Sequence, residues 1–204
     1  MMDTVRYAMG VFCMVVMPPA GMLWTFVHPL AWWWRKVGAV TTYLVILPVL
    51  VGFAVVLFRL RERLLGADLG TNWALIGVAG VFYALMVPIE IGYRKHLTFS
   101  TLIGLPELAK TGTSGAKLLR EGIYARVRHP RYLSVTLSLI GHALVANYVG
   151  VYLFVLFLIP AGAWTMWLEE RELVQRYGLA YRDYQRDVPQ LLPHRPKNWR
   201  RPFS

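Results

Sequence analysis

The chain has 204 residues, of which 56% are hydrophobic and only 16% are charged, whereas soluble domains carry about 25% charged residues. A net charge of +11 would suit nucleic acid, but the basic residues lie in loops beside apolar stretches, as in loops that face anionic lipid. Apolar stretches near the bilayer-spanning length of about 20 residues recur along the chain. The sequence therefore predicts an all-α integral membrane protein that contacts membrane lipids and no nucleic acid.

The first three predicted spans occupy residues 5–27, 37–58 and 73–92. Pro18 and Pro19 interrupt the first of them, so a kink or a partly re-entrant segment is expected there. Between the first two spans, the tryptophans and basic residues of "HPLAWWWRK" predict an interfacial belt. The single cysteine of the chain, Cys13, excludes an intrachain disulfide, and no Cys/His metal spacing is present.

The second half begins with a long connection, 93–131, whose "AKTGTSGAK" stretch predicts a flexible loop. The following apolar region, 132–168, is too long for one span at ~1.5 Å per residue. A break at Asn147–Tyr148 divides it into a helical hairpin, which supplies spans four and five. The charged tail after Glu169 repeats apolar and tyrosine residues at helical spacing, which predicts an interfacial amphipathic helix. All of this forms one membrane domain over 1–204, with three spans in 1–92 and the loop, hairpin and tail in 93–204.

Five spans place the two termini on opposite sides of the membrane. The side of the N-terminus, with the loop after span two and the hairpin tip, carries four Lys and Arg, and the other side carries eighteen. The positive-inside rule places the second side in the cytoplasm. The C-terminal tail and the connection 93–131 are therefore expected to share the cytoplasmic face.

The segment "EGIYARVRHPRYLS", residues 121–134, has two readings. Its arginines and tyrosines suit a juxtamembrane anchor. Pro130 disfavours the helical region for His129, so the helix of span four is expected to begin at or after the proline. Its first-turn N–H groups, beside Arg128 and His129, would suit a carboxylate or a phosphate. The pattern alone leaves anchor and site equally supported.

Other ionisable residues also have two readings. Glu169 and Glu170 suit boundary charges, or acceptors for ribose hydroxyls or an amino group. Glu90 is expected to be a boundary carboxylate rather than a cavity residue, and His142 a hydrogen-bonded packing residue rather than a ligand. The sequence has no nucleophile–base arrangement, P-loop or GxGxxG motif, so hydrolase and soluble Rossmann functions lack support.

The C-terminal motifs resemble a known family. "GIYARVRHPRYLSVTLSLIGHAL" followed by "EERELVQRYGLAYRDYQRDVPQLLP" is similar to isoprenylcysteine carboxyl methyltransferases and phospholipid methyltransferases, which are integral-membrane, S-adenosylmethionine-dependent enzymes. The resemblance covers about the last 80 residues. It rests on Gly122, Tyr124, Arg128, His129, Pro130, Tyr132, Glu169, Glu170, Gly178, Tyr181, Tyr184, Val188, Pro189 and Pro193.

The resemblance implies a cytoplasmic S-adenosylmethionine site between the Arg-His-Pro segment and the acidic residues. Arg128 would face the carboxylate of the cofactor and Glu170 its amino or ribose end, while Glu170 or His129 could accept a proton, so these three are the expected catalytic residues. A lipidic acceptor would enter laterally between helices. The expected cofactor-binding residues are Gly122, Tyr124, Arg128, His129, Pro130, Tyr132, Glu169, Glu170 and Tyr181.

Two departures from the family pattern bear on the acceptor. Ser134 stands where many members carry a small residue, typically Gly. Thr165, Met166 and Trp167 stand where prenylcysteine-specific members are expected to carry an Arg for the substrate carboxylate, which argues against that substrate more than against methyl transfer. The acceptor stays open between a prenylcysteine-like carboxylate and a phospholipid amine. The alternative functions are a sterol-type membrane reductase that uses NADPH and a non-catalytic membrane regulator.

Overall fold

The computed structural model describes residues 1–27, 31–95 and 118–192, and within these ranges every regular element is a helix. A π-helical segment, Phe12–Val16, joins the first two helices, and a 3₁₀ turn, Gly122–Ala125, precedes the hairpin. The predicted loop "AKTGTSGAK" lies outside the described residues. The α-helices are α1 Met2–Val11, α2 Met17–Val27, α3 Ala31–Val37, α4 Ala39–Arg59, α5 Arg61–Leu65, α6 Trp73–Arg94, α7 Pro130–Ala146, α8 Val149–Tyr177 and α9 Leu179–Asp187.

Four helical stretches in the described part of the chain are long and apolar enough to cross a membrane. They are Met2–Leu23, Val40–Arg59, Trp73–Arg94 and Val149–Tyr177. The predicted all-α class is thereby confirmed. The remaining predicted span, span four, corresponds to α7, which has 17 residues and at ~1.5 Å per residue is about 25 Å long, against a hydrocarbon core of about 30 Å. Five spans therefore stay a prediction.

The proline pair in span one does not break the helix. α1, the π segment and α2 follow one another without interruption from Met2 to Val27. Pro18 and Pro19 have no N–H to donate to the preceding turn. In the π segment the N–H of Met17 donates to the carbonyl of Phe12, five residues back, so the ladder widens where the prolines interrupt its regular pattern. The helix is continuous, which argues against a re-entrant segment, whereas a kink at the prolines stays a prediction.

The N-terminus, the connection after α5 and the tip of the hairpin meet at one end of the bundle. Arg6 is 1% exposed, pairs with Asp68 and Asp3, and lies 5.5 Å from the centroid of the Tyr148 ring. The tip is also held by backbone, since the N–H of Leu69 donates to the Asn147 carbonyl at 3.1 Å. These are the three segments that the charge count assigned to one side. Which membrane face they occupy stays a prediction.

The predicted division of the hairpin is confirmed at Asn147, which has a left-handed backbone (φ 55°) between α7 and α8. α7 packs along α6 and against α1. The main buried cluster lies beneath the hairpin tip and is formed by Cys13, Met14, Leu65, Leu139, Ala143, Ala146, Tyr148, Val151 and Val155.

The helix of the last predicted span continues beyond the predicted end of the span. α8 continues to Tyr177, so Glu169 and Glu170 lie inside a helix rather than at its end, because Glu and Arg are good helix formers. The tail therefore forms a second, shorter helix, α9, only after Gly178. Its Tyr181 and Tyr184 are buried against protein, in a cluster with Leu118, Leu173, Val174, Tyr177 and Val188. An interfacial position for α9 stays a prediction.

Substitution of Gly150 tests how closely the hairpin tip packs against the backbone of α5. A Cβ atom at this position would lie 1.7 Å from the carbonyl oxygen of Leu64, so Gly150→Ala must displace backbone. We expect a loss of about 1–3 kcal/mol, the usual cost of overpacking, measured by thermal unfolding in detergent. Gly162→Ala on the same helix is the control, since outside its chain neighbours and the adjacent helix backbone no atom lies within 4 Å of its Cβ position. Equal melting temperatures for the two variants would contradict this packing.

Candidate functional site

The Arg-His-Pro step sets the entry into α7. Pro130 is the first helical residue and His129 the N-cap, with φ −120° and ψ 61°, as predicted from the restriction that proline places on its predecessor. Upstream, Gly122 begins the 3₁₀ turn with φ 61°, a conformation that glycine adopts without steric cost. Gly122 therefore contributes backbone geometry that brings Tyr124 and the basic residues towards the helix end.

The C-terminal tail packs back against residues 121–132 and is joined to them by hydrogen bonds. The N–H of Arg128 donates to the carbonyl of Pro189 at 2.9 Å, and the N–H of His129 donates to the carbonyl of Gln190 at 3.1 Å. The hydroxyl of Tyr184 donates to the carbonyl of Tyr124 at 2.6 Å. Three separate stretches of chain thus meet: residues 121–132, the later turns of α8, and α9 with the residues after it.

Glu170 is the centre of this meeting point. Its Oε1 lies 3.0 Å from Nη2 of Arg128 and 3.0 Å from Nε2 of His129, and its Oε2 accepts from Nε2 of Gln185 at 3.0 Å. Nη1 of Arg128 also donates to the backbone carbonyl of Gln185 at 2.9 Å. The side chains of Arg128 and Glu170 are 10% and 14% exposed, so these charge-assisted bonds are only weakly screened by water.

The pairing differs from the arrangement expected for the cofactor. The resemblance implies Arg128 and Glu170 at opposite ends of a ligand, whereas the two side chains contact each other directly. Opposite charges at this distance attract strongly when they are mostly shielded from water. Glu170 therefore has both carboxylate oxygens engaged by the protein itself.

Glu169, unlike Glu170, has a carboxylate oxygen that can still accept a hydrogen bond. Its Oε2 atom is 3.8 Å from Nδ1 of His129, and it is buried without a hydrogen-bond partner in the described structure. Nε of Arg128 is likewise buried without a partner. Such atoms are rare in native proteins because each one costs desolvation energy. The site thus contains one open acceptor and one open donor of opposite charge.

Tyrosines line the same region. The rings of His129 and Tyr132 meet edge to face with centroids 5.6 Å apart. Burial, with a smaller contribution from the Glu169 carboxylate, raises the pKa of Tyr124 to about 12. Burial and the Glu170 carboxylate also raise the pKa of Tyr181 above its ordinary value. Both phenols therefore keep their protons, and their capacity to donate, at neutral pH.

The structure thus brings together Tyr124, Arg128, His129, Pro130, Tyr132, Glu169, Glu170 and Tyr181, with Gly122 contributing through the backbone. Gln185, which donates to Glu170, was not predicted from the sequence; its position four residues after Tyr181 places both on one helix face. As expected, His142 is a hydrogen-bonded packing residue, which bonds to the Ser138 carbonyl and stacks on Phe12. Glu90 pairs with the exposed Arg94, and both Glu90 and His142 also line a cavity.

Comparison with known proteins shows the family of the chain. The phospholipid methyltransferase family matches residues 73–180, a range that includes the Arg-His-Pro step and both glutamates. The chain belongs to the phospholipid methyltransferase family. It is also 36% identical over 77 residues to the protein-S-isoprenylcysteine O-methyltransferase of Schizosaccharomyces pombe. That match covers 37% of this chain and 33% of the relative, so the chain spans about a third of the relative's length. No solved structure matches.

The roles of the two glutamates can be separated by stability. Glu170→Ala leaves the largely buried Arg128 guanidinium without its carboxylate, and we expect a loss of about 3 kcal/mol in unfolding free energy. Glu169→Ala removes an oxygen without a hydrogen-bond partner, so its effect should stay below about 1 kcal/mol. Thermal unfolding of both variants in the same detergent measures the difference. A Glu169 variant that is as unstable as the Glu170 variant would refute this assignment.

Proposed function

We propose that the chain is an integral-membrane methyltransferase that takes the methyl group of S-adenosylmethionine and transfers it to a lipid-linked acceptor. One observation carries the proposal. His129 and Glu170, 41 residues apart in the chain, lie 3.0 Å from each other within the region that matches the family. They form a compact polar site at the start of α7, beside the part of α8 where the sequence changes from apolar to charged residues.

The residues of the site fit this cofactor. S-adenosylmethionine carries a carboxylate, an ammonium group and ribose hydroxyls. The open donor, Nε of Arg128, suits the carboxylate, and the open acceptor, Oε2 of Glu169, suits the ammonium group or a ribose hydroxyl. Tyr124, Tyr132 and Tyr181 supply ring faces and hydroxyls around them. When bound, the cofactor supplies the electrophile, a methyl group on a sulfonium.

The protein's part in methyl transfer is then mainly alignment and exclusion of water. Glu170 orients Arg128 and His129, because both of its oxygens are already bonded to protein groups. A carboxylate acceptor reacts as it stands. An amine acceptor first gives up one proton, and Nδ1 of His129, which faces Glu169, is placed to take it. We therefore propose that Glu170 positions Arg128 and His129, and that Glu169 accepts a hydrogen bond from the cofactor.

The acceptor is proposed to be lipid-linked. The relative's name specifies an S-isoprenylcysteine acceptor and the family's name a phospholipid, and both join a polar head to an apolar chain. The exposed surfaces of the long helices are rich in large apolar side chains, so such a molecule can approach from the bilayer. The excess of Lys and Arg supports a cytoplasmic site and C-terminus, with the N-terminus opposite.

Binding of S-adenosylhomocysteine to the purified protein tests the proposal. Titration calorimetry should detect saturable binding, and His129→Ala or Glu169→Gln should weaken it about tenfold or more, as expected for the loss of a charge-assisted bond. Glu172→Gln, which removes an exposed carboxylate on the same helix, should bind as the wild type does. Absence of binding, or equal affinity in all variants, would refute the site. Binding of NADPH instead would favour the reductase alternative.

A further inference from the structure

A cavity of about 130 Å³ lies between the π segment, α6 and α7. Its polar lining comes from Glu90, Tyr93, Ser134, Ser138 and His142, and apolar side chains complete the wall. The proposed cofactor contacts do not use this cavity. Ionisable side chains on membrane-spanning helices are costly to bury, so a group of them around one space is a candidate site.

The polar residues of α7 lie on one stripe. Ser134, Ser138 and His142 are spaced four residues apart, which places them above one another on a helix. Across the cavity, Oε2 of Glu90 lies 3.5 Å from Oγ of the buried Ser134, while its Oε1 pairs with Arg94. The Arg94 side chain is 62% exposed and does not line the cavity. Oε1 of Glu90 is thus held by Arg94 outside the cavity, and Oε2 is directed towards Ser134 in the cavity wall.

The cavity offers a carboxylate acceptor beside hydroxyl groups that can both accept and donate. Nδ1 of His142 donates to the backbone carbonyl of Ser138, and in the neutral imidazole this leaves Nε2 as an acceptor. The ring is fixed by stacking on Phe12, the first residue of the π segment, with centroids 5.7 Å apart. The side chains of Glu90, Ser134, Ser138 and His142 therefore give the lining a carboxylate, two hydroxyls and an imidazole. Neither Lys nor Arg is among its described lining residues, so a cationic group with N–H donors matches it better than an anion.

The cavity adjoins the proposed methyl-transfer site. Ser134 follows His129 by five residues, about 7.5 Å along the axis of α7. On the opposite wall, Tyr93 is one residue from Gly92, where a Cβ atom would lie 3.1 Å from the side chain of Ile123 in the 3₁₀ turn. The cavity therefore has room for a small polar head group.

We propose that this cavity binds the ammonium head group of an amine-bearing amphiphile, with Glu90 selecting the amine over a carboxylate. The inference rests on the proposed function, because this amphiphile would be the methyl acceptor. The inward oxygen of Glu90 and the serine oxygens accept from the ammonium N–H groups, and the apolar chain of the molecule stays in lipid. Glu90 is a specificity-determining residue in this account, and it takes no part in holding the cofactor.

Binding of three probes that differ only in head group tests the inference. Dodecylamine, dodecanoate and dodecanol are titrated against the full chain in phosphatidylcholine nanodiscs, with empty nanodiscs subtracted, and S-adenosylhomocysteine affinity is measured on the same samples. Wild-type protein should bind dodecylamine saturably and at least tenfold more tightly than dodecanoate or dodecanol. Glu90→Gln and the cavity-filling Ser138→Leu should each reduce dodecylamine affinity about tenfold. Glu172→Gln should not reduce it, and all three variants should keep S-adenosylhomocysteine affinity.

The outcomes separate the two proposals. Normal S-adenosylhomocysteine binding with equal or tighter binding of dodecanoate overturns the head-group inference and leaves the methyltransferase proposal standing. The head-group inference is also overturned if neither Glu90→Gln nor Ser138→Leu changes dodecylamine affinity. Wild-type protein that fails to bind S-adenosylhomocysteine overturns the proposed function instead. Probe selectivity in the wild type decides the inference even if Glu90→Gln does not fold.

Discussion

The carboxylate of Glu170 is the constraint on which the site depends. It joins Arg128 and His129, which precede α7, to Gln185 of α9, so one side chain connects three separate stretches of chain. These contacts lie largely out of water, where breaking one partner of a charged pair leaves a costly unpaired charge. The tail therefore does more than follow the last span. Its backbone accepts from Arg128 and His129, and together with Glu170 it fixes the position of both side chains.

Under the proposed function, this arrangement separates the residue that holds the site together from the residues that would bind the cofactor. Glu170 is saturated by protein donors, whereas Glu169 and Arg128 each keep one buried atom without a hydrogen-bond partner in the described chain. A ligand with both a cationic and an anionic group satisfies both atoms at once. Adjacent glutamates can thus have different roles, because one side chain points at the basic segment and α9 while the other keeps an open oxygen.

Much of this could be predicted from sequence, because its signals are local. Pro130 fixes where α7 begins, Asn147 ends it, and the hydropathy of 73–92 defines α6. Long-range contacts had no such signal: Arg128 and Glu170 were expected at opposite ends of a ligand, and Gln185 was not singled out. The end of α8 was also missed, because charge composition marks where a span leaves lipid and not where its helix stops. The spacing of Ser134, Ser138 and His142 was visible in the sequence. The cavity that they form with Glu90 was not, because it depends on how α6 packs against α7.

Photocrosslinking tests the central claim most directly, because it reports where the cofactor lies without requiring knowledge of the acceptor. The purified protein is irradiated with S-adenosylmethionine labelled in its methyl group, digested, and the labelled peptides are identified. The account predicts label in fragments that contain residues 121–134 or 164–186, suppressed by excess S-adenosylhomocysteine. Label confined to fragments from residues 1–72, or label that S-adenosylhomocysteine does not displace, would contradict it.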